Sequence, residues 1–184
     1  MNFDPIHFLV QLVIAVFLIR FHANAYRLGR NPILEKINQL TNPVVLPFSR
    51  LIPARRRDIG ALIVALIIAI LAAFLLTRPL PLPLPAALII GTLQLFFGTW
   101  LDLVMYSLII VVIGSWLQTD PRQPLMQLML ACNEWIMAPL RRIIPSFGGL
   151  DFSPIIVLFG VQFGKYALGK LSFHIAFAMI GGHF

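Results

Sequence analysis

Four long apolar runs alternate with two shorter amphipathic ones along this chain. Ile6 to Ile19 is almost wholly apolar, Arg20 interrupts, and apolar residues resume toward Leu28. Gly60 to Leu76 carries no charge at all. A third apolar stretch covers residues 86–118, and a fourth covers 152–176, broken by Lys165 and Lys170. Crossing the hydrocarbon takes about 20 helical residues at about 1.5 Å each. The pattern therefore predicts spans at 6–28, 60–76 and 152–176, with one more inside the third stretch. That stretch is too long for a single untilted span. Trp100 and Trp116 stand 16 residues apart, or about 24 Å of helix. Tryptophan favours the two membrane interfaces, so the third span is set at 98–118. Ala86 to Phe97 is then an outer interfacial helix or a kinked extension of span three, with a separate short span as the runner-up.

The amphipathic segments sit between spans one and two and between spans three and four. In residues 32–45, Ile33, Ile37, Leu40 and Val44 recur on one helical face, and Glu35, Asn38, Gln39 and Asn42 lie on another. Pro32 suits a first helical position. Pro43 is expected to end or bend the helix, because proline lacks the donor and crowds the preceding turn. Residues 124–138 show a clearer stripe: Leu125, Leu128, Met129, Cys132, Trp135 and Ile136. Neither segment is long enough to span. Each is expected to lie in the interface plane, apolar face down, or to pack against the spans or another subunit.

These segments carry a repeated motif. Arg30, Pro32, Pro47, Arg50 and Pro53 match Arg122, Pro124, Pro139, Arg142 and Pro145 at a constant offset of 92 residues. Asp58 and Asp151 follow with a one-residue slip, each placed to cap the next span. Repeats of this kind take precedence over residue-level readings. The expected architecture is an all-α membrane protein built by tandem duplication. Each half has two transmembrane helices joined by an amphipathic interfacial helix. The first repeat is 1–77, a Pro-rich linker with the extra apolar segment is 78–97, and the second repeat is 98–184. The order of span, Arg-x-Pro, amphipathic segment, Pro-x-x-Arg-x-Ile-Pro, Asp and second span resembles the YggT (YlmG-like) family of small bacterial inner-membrane proteins. The resemblance covers about residues 1–77 and 98–170. It implies a multi-pass inner-membrane protein and brings no agreed chemistry with it.

Composition agrees with a membrane class. The chain is 59% hydrophobic and only 11% charged, against about 25% charged in soluble domains. Its net charge is +7, and the placement of that charge matters more than the sum. Arg27, Arg30, Lys36, Arg50, Arg55, Arg56 and Arg57 fall between spans one and two, and Arg122, Arg141 and Arg142 between spans three and four. The positive-inside asymmetry puts both loops in the cytoplasm and both termini in the periplasm. Arg55, Arg56, Arg57 and Arg141 are the expected contacts to anionic lipid headgroups. No nucleic-acid fold accompanies the charge. Arg20 is expected to snorkel to the headgroups, with an ion-path role as the alternative.

The chain offers little chemistry. Its single cysteine, Cys132, rules out an internal disulfide and reads as a small hydrophobe. His7, His22, His174 and His183 have no mutual ligand spacing, and no nucleophile motif or phosphate loop is present. No catalytic, cofactor or metal site is expected, and the chain is not expected to be an enzyme. Asp102 and Lys165 are charges inside apolar runs. Because the spans run antiparallel, they reach similar depth and are expected to form a salt bridge, with Gly160 and Gly164 permitting close approach. The function expected is a scaffold or an assembly or accessory protein, acting as a homo-oligomer or as a subunit of a larger membrane complex. The resemblance adds two alternatives: a channel or transporter component linked to osmotic tolerance or ion uptake, and a cytochrome or haem assembly factor by analogy with plastid relatives.

Overall fold

The computed structural model describes residues 4–26, 28, 30–51, 58–76, 83–143 and 153–181. Among them every regular element is helical: α1 (Pro5–Ala25), α2 (Pro32–Leu51), α3 (Ile59–Leu76), α4 (Leu84–Leu93), a π-helical segment (Gln94–Gly98), α5 (Thr99–Trp116), α6 (Pro124–Ile143) and α7 (Ser153–Gly181). Four helices are long and apolar enough to cross a membrane: α1, α3, the run Leu84–Trp116 and α7. The Pro-rich residues 77–82, Pro53, Arg55, Arg56, Arg57, Pro145 and Asp151 lie outside the described residues.

The largest core joins the two halves of the chain. Ile14, Phe17, Leu18 and Phe21 of α1 meet an alanine face on α3, with Leu95 and Phe96 of the π segment, Leu103 of α5 and Cys132 of α6. The alanine face is Ala61, Ala65, Ala69 and Ala73, four residues apart and fully buried. Small side chains at that spacing let neighbouring helices come close, and helix association in lipid depends on such packing. A second cluster joins Val104 and Leu108 of α5 to Met137 of α6 and to Val157 and Val161 of α7.

The structure decides three expectations here. The Ala86–Phe97 stretch is continuous with span three, and the helix carries a π segment where a kink was one expectation. Pro43 does not end α2, which runs on through Pro47 to Leu51. Both prolines are exposed, so the carbonyls they leave unpaired lie on the outer side of the helix, where other donors can reach them. Pro139 sits inside α6 in the same way, exposed and without ending the helix.

The third concerns which face of α2 turns inward. Leu34, Thr41 and Val45 are buried, whereas Leu40 is 81% exposed and Val44 and Ile33 are also exposed. The apolar stripe read from the sequence thus points away from the core. α6 buries the middle of its stripe, Leu128, Met129 and Cys132, together with Ala131 of the other face, while Leu125 and Trp135 at the ends of the stripe are exposed. The two amphipathic helices share a length of 20 residues but not a packing environment.

α2 and α3 approach each other closely at Gly60. A Cβ on Gly60 would collide with the Ser49 side chain and lie 3.0 Å from the Ser49 nitrogen and the Val45 carbonyl oxygen. Backbone cannot yield as a flexible side chain can, so Gly60→Ala is expected to destabilise the protein by about 1–3 kcal/mol, the usual range for overpacking. Thermal unfolding in detergent checks this. The same substitution at Gly169, where an added Cβ meets nothing within 4 Å, is expected to leave Tm unchanged.

Candidate functional site

Buried polar groups are the natural place to look for function in an apolar bundle. The most connected set gathers at the end of α1. Arg20 is 5% exposed, and its Nε donates to Asp58 Oδ2 at 2.7 Å. Its Nη1 donates to the Asn38 carbonyl at 3.2 Å and to Thr41 Oγ1 at 2.5 Å. Asn24, one turn after Arg20, donates to Asp58 Oδ2 at 3.0 Å and exchanges amide hydrogen bonds with Asn38 at 3.1 and 3.3 Å. Asp58 Oδ1 accepts from the Ala61 backbone N–H at 3.3 Å and lies 3.5 Å from Ser49 Oγ. One carboxylate therefore caps α3 and anchors a guanidinium from α1, while α2 supplies the remaining acceptors.

This corrects two readings. Arg20 does not snorkel, because Asp58, Asn38 and Thr41 satisfy it inside the protein. Asp58 is a cap, as expected, and also half of a buried ion pair. The signal that sequence reasoning missed is the spacing of Arg20 and Asn24, which places both on one face of a span. With Asp58 left unpaired in the interior, Arg20→Met is expected to destabilise by about 3–5 kcal/mol. The double variant Arg20→Met, Asp58→Leu is expected to recover most of that loss, because replacing a whole buried pair by apolar groups is often neutral. Thermal unfolding of the two variants in detergent measures both terms. Equal loss in both would show that the pair is not the coupling element.

A second polar contact links α5 and α6. Asn133, nearly fully buried, donates to Ser107 Oγ and to the Met129 carbonyl, both at 2.9 Å. Thr41 in α2 likewise donates to the Ile37 carbonyl one turn back, at 2.6 Å. A third contact ties the amphipathic helices together. Asn31 caps α2 by accepting from the Ile33 and Leu34 N–H groups at 3.1 Å, and its amide donates to the Pro124 carbonyl at 2.9 Å.

Asp102 and Lys165 meet: the ammonium donates to Asp102 Oδ1. Neighbouring contacts give the register. Gln94 donates to Ser172 at 2.8 Å, Gly164 faces Leu101, and Gln162 lies 3.4 Å from the Met105 sulfur. Residue numbers rise along α5 as they fall along α7, so the helices are antiparallel. A Cβ on Gly164 would make ordinary van der Waals contact with Leu101 at 3.4 Å, so the approach does not require glycine there. Gly160 does not contribute, because an added Cβ there meets nothing within 4 Å. Asp102→Lys and Lys165→Asp are each expected to lower the yield of folded protein several-fold, and the double swap is expected to restore much of it. Gel-filtration yield in detergent reads the difference, and equal loss in all three would show that the contact does not stabilise the fold.

Between these polar contacts lies an aromatic group. Trp100 packs edge-on to Phe21, His22, Phe96 and Trp135, with centroids 5.4 to 6.3 Å apart. Trp100 therefore packs into the interior, whereas Trp116 is 80% exposed at the helix end. A cavity of about 370 Å³ is lined by Phe21, His22, Ala25, Tyr26, Trp100 and Trp135. A larger one of about 550 Å³ opens between α5, α6 and α7, with walls that include Phe97, Leu101, Val104, Ile136 and Leu168. Its lining is aliphatic and aromatic, without the convergent polar groups that position a reacting substrate.

The CCB3/YggT family pattern matches residues 3–78 and 90–172. The chain belongs to the CCB3/YggT family. It is 30% identical over 169 residues to the uncharacterized protein in the proC 3′ region of Vibrio alginolyticus, covering 89% of this chain and 90% of the relative. It is 30% identical over 154 residues to the uncharacterized protein YggT of Escherichia coli K12, covering 81% and 79%. An uncharacterized Pseudomonas aeruginosa protein is 32% identical over 157 residues, covering 83% and 80%. No solved structure matches the chain.

Among the described residues, the motif positions of this CCB3/YggT protein do not converge on one site. Arg30, Arg50, Arg122 and Arg142 are exposed, and Pro32 and Pro124 open α2 and α6. Pro47 and Pro139 lie on outer helical faces. Arg141 is exposed and stands 3.7 Å from Glu134. Among the described residues no three His, Cys, Asp or Glu side chains gather to hold a metal. Cys132 is fully buried, and desolvation pushes its thiol up to about 12, which keeps it protonated and unreactive.

Proposed function

We propose that this chain is a non-enzymatic scaffold or accessory protein of the bacterial inner membrane, built from two copies of one helical unit. The observation that carries the reading is the outward apolar stripe of α2. Ile33, Leu40 and Val44 are exposed beside the exposed cations Arg30, Lys36 and Arg50. An apolar stripe flanked by basic residues fits an anionic membrane surface or the groove of a partner protein. The duplication is supported by element bounds. Pro32 and Leu51 of α2 and Pro124 and Ile143 of α6 are each separated by the same 92 residues as the motif. It is also supported by Thr41 and Asn133, which share that offset and a bond to the carbonyl one turn back. The basic residues around α2 and α6 support cytoplasmic loops and periplasmic termini.

The polar chemistry of the interior holds helices together. Arg20 and Asp58 pair across α1 and α3, and Asn133 and Ser107 bond across α5 and α6. A transport role is the second reading, favoured by the half-buried Asp102 and Lys165 inside spans. One experiment separates the two. The scaffold reading predicts that the chain, purified from its own membranes in mild detergent, carries a membrane protein at fixed stoichiometry. It also predicts that Leu40→Glu, at an 81% exposed position, removes that protein without lowering Tm. If the chain carries nothing at fixed stoichiometry and by itself passes ions in liposomes, the scaffold reading is wrong.

A further inference from the structure

The face that α5 and α7 turn outward is unusually polar for a surface placed in lipid. Asp102 is 28% exposed and Lys165 31% exposed, even though each is the other's partner. Tyr106, one turn after Asp102, is 59% exposed, Tyr166, next to Lys165, is 62% exposed, and Gln162 is exposed on the same side of α7. Helical spacing makes this one surface: 102 and 106 on α5, and 162, 165, 166 and 169 on α7.

This surface lies deep. Lys165 is 12 residues from Ser153 at the start of α7, or about 18 Å along the helix. Asp102 is 14 residues before Trp116 at the end of α5, or about 21 Å. With a hydrocarbon core about 30 Å thick, neither is at a headgroup. An ammonium has three donors, and Asp102 Oδ1 is the acceptor recorded for Lys165. Hydrocarbon offers no acceptor for the others.

We propose that two copies of this chain pack against each other through this face, about a two-fold axis along the membrane normal. The surface is self-complementary in charge. Each copy presents Lys165 beside Asp102, with a further cation, Lys170, 5.5 Å from the centre of the Tyr166 ring, and a two-fold rotation sets Lys165 of one copy toward Asp102 of the other. Four alternating charges then replace two isolated pairs, and the tyrosine hydroxyls gain polar neighbours in place of lipid. Isologous packing of this kind is the commonest closed symmetry. Gly169 lies on the same face with nothing within 4 Å of where its Cβ would be, which leaves room for the second copy's helix. The proposal stands apart from the scaffold reading, since a dimer can form whether or not another protein binds α2.

The test is cross-linking of the purified chain in liposomes of low protein density. Tyr166→Cys is expected to give a dimer-sized product with a short bismaleimide. Leu71→Cys, exposed on α3, is the control and is expected to give at least ten-fold less. The native thiol does not interfere, because Cys132 is fully buried. Adding Gly169→Trp to Tyr166→Cys is expected to abolish the product while leaving Tm unchanged, since the single chain has space there. Cross-linking at Tyr166 no stronger than at Leu71 would overturn the proposal. So would a product that survives Gly169→Trp, which would mean that the copies meet elsewhere.

Discussion

Arg20 sits nearly fully buried in an apolar bundle. A guanidinium in a low-dielectric interior demands a counter-charge and acceptors for its N–H groups. The fold provides them from three places. Asp58 contributes the charge, while Asn38 and Thr41 contribute oxygen atoms. Satisfying Arg20 thus fixes the rotation of α1, the inward face of α2 and the start of α3 together. The orientation of α2 follows from this requirement. Turning its apolar stripe inward would withdraw Asn38 and Thr41 from Arg20, so the stripe faces outward and becomes the surface available to lipid or a partner.

The second half meets the same constraint with less charge. Asn133 and Ser107 form a neutral contact, and α6 buries Leu128, Met129 and Cys132 of its apolar stripe. That difference explains why two helices of equal length serve different roles. α6 is packed among α1, α5 and α7, whereas α2 covers the Arg20 network from one side. Asn31 binds the two helices at their N-terminal ends, donating to α6 while capping α2. The aromatic group around Trp100 fills the space between the halves, and cavities remain on either side of it.

Close packing in lipid depends on small residues at the right places. The alanine face of α3 and the glycine at position 60 are such places, because α1 and α2 approach them directly. Gly160 and Gly169 show that a glycine in a span does not by itself mark a contact within the chain, since the space beside each is open.

By itself the sequence determined the class of the protein, its family and its four long apolar helices. It determined these because a span needs only length and apolarity, both local properties, and because the motif is a linear pattern. It also exposed Arg20, Asp102 and Lys165 as charges in apolar surroundings, each demanding an explanation. Only the tertiary structure decided the answers. Arg20 and Asp58 are 38 residues apart, and Asp102 and Lys165 are 63 apart. Which of them meet depends on the rotation and register of whole helices. The direction of the α2 stripe was decided in the same way. A hydrophobic pattern shows that a helix has two faces, but which face turns inward depends on what its neighbours leave unsatisfied, and here that was a buried arginine.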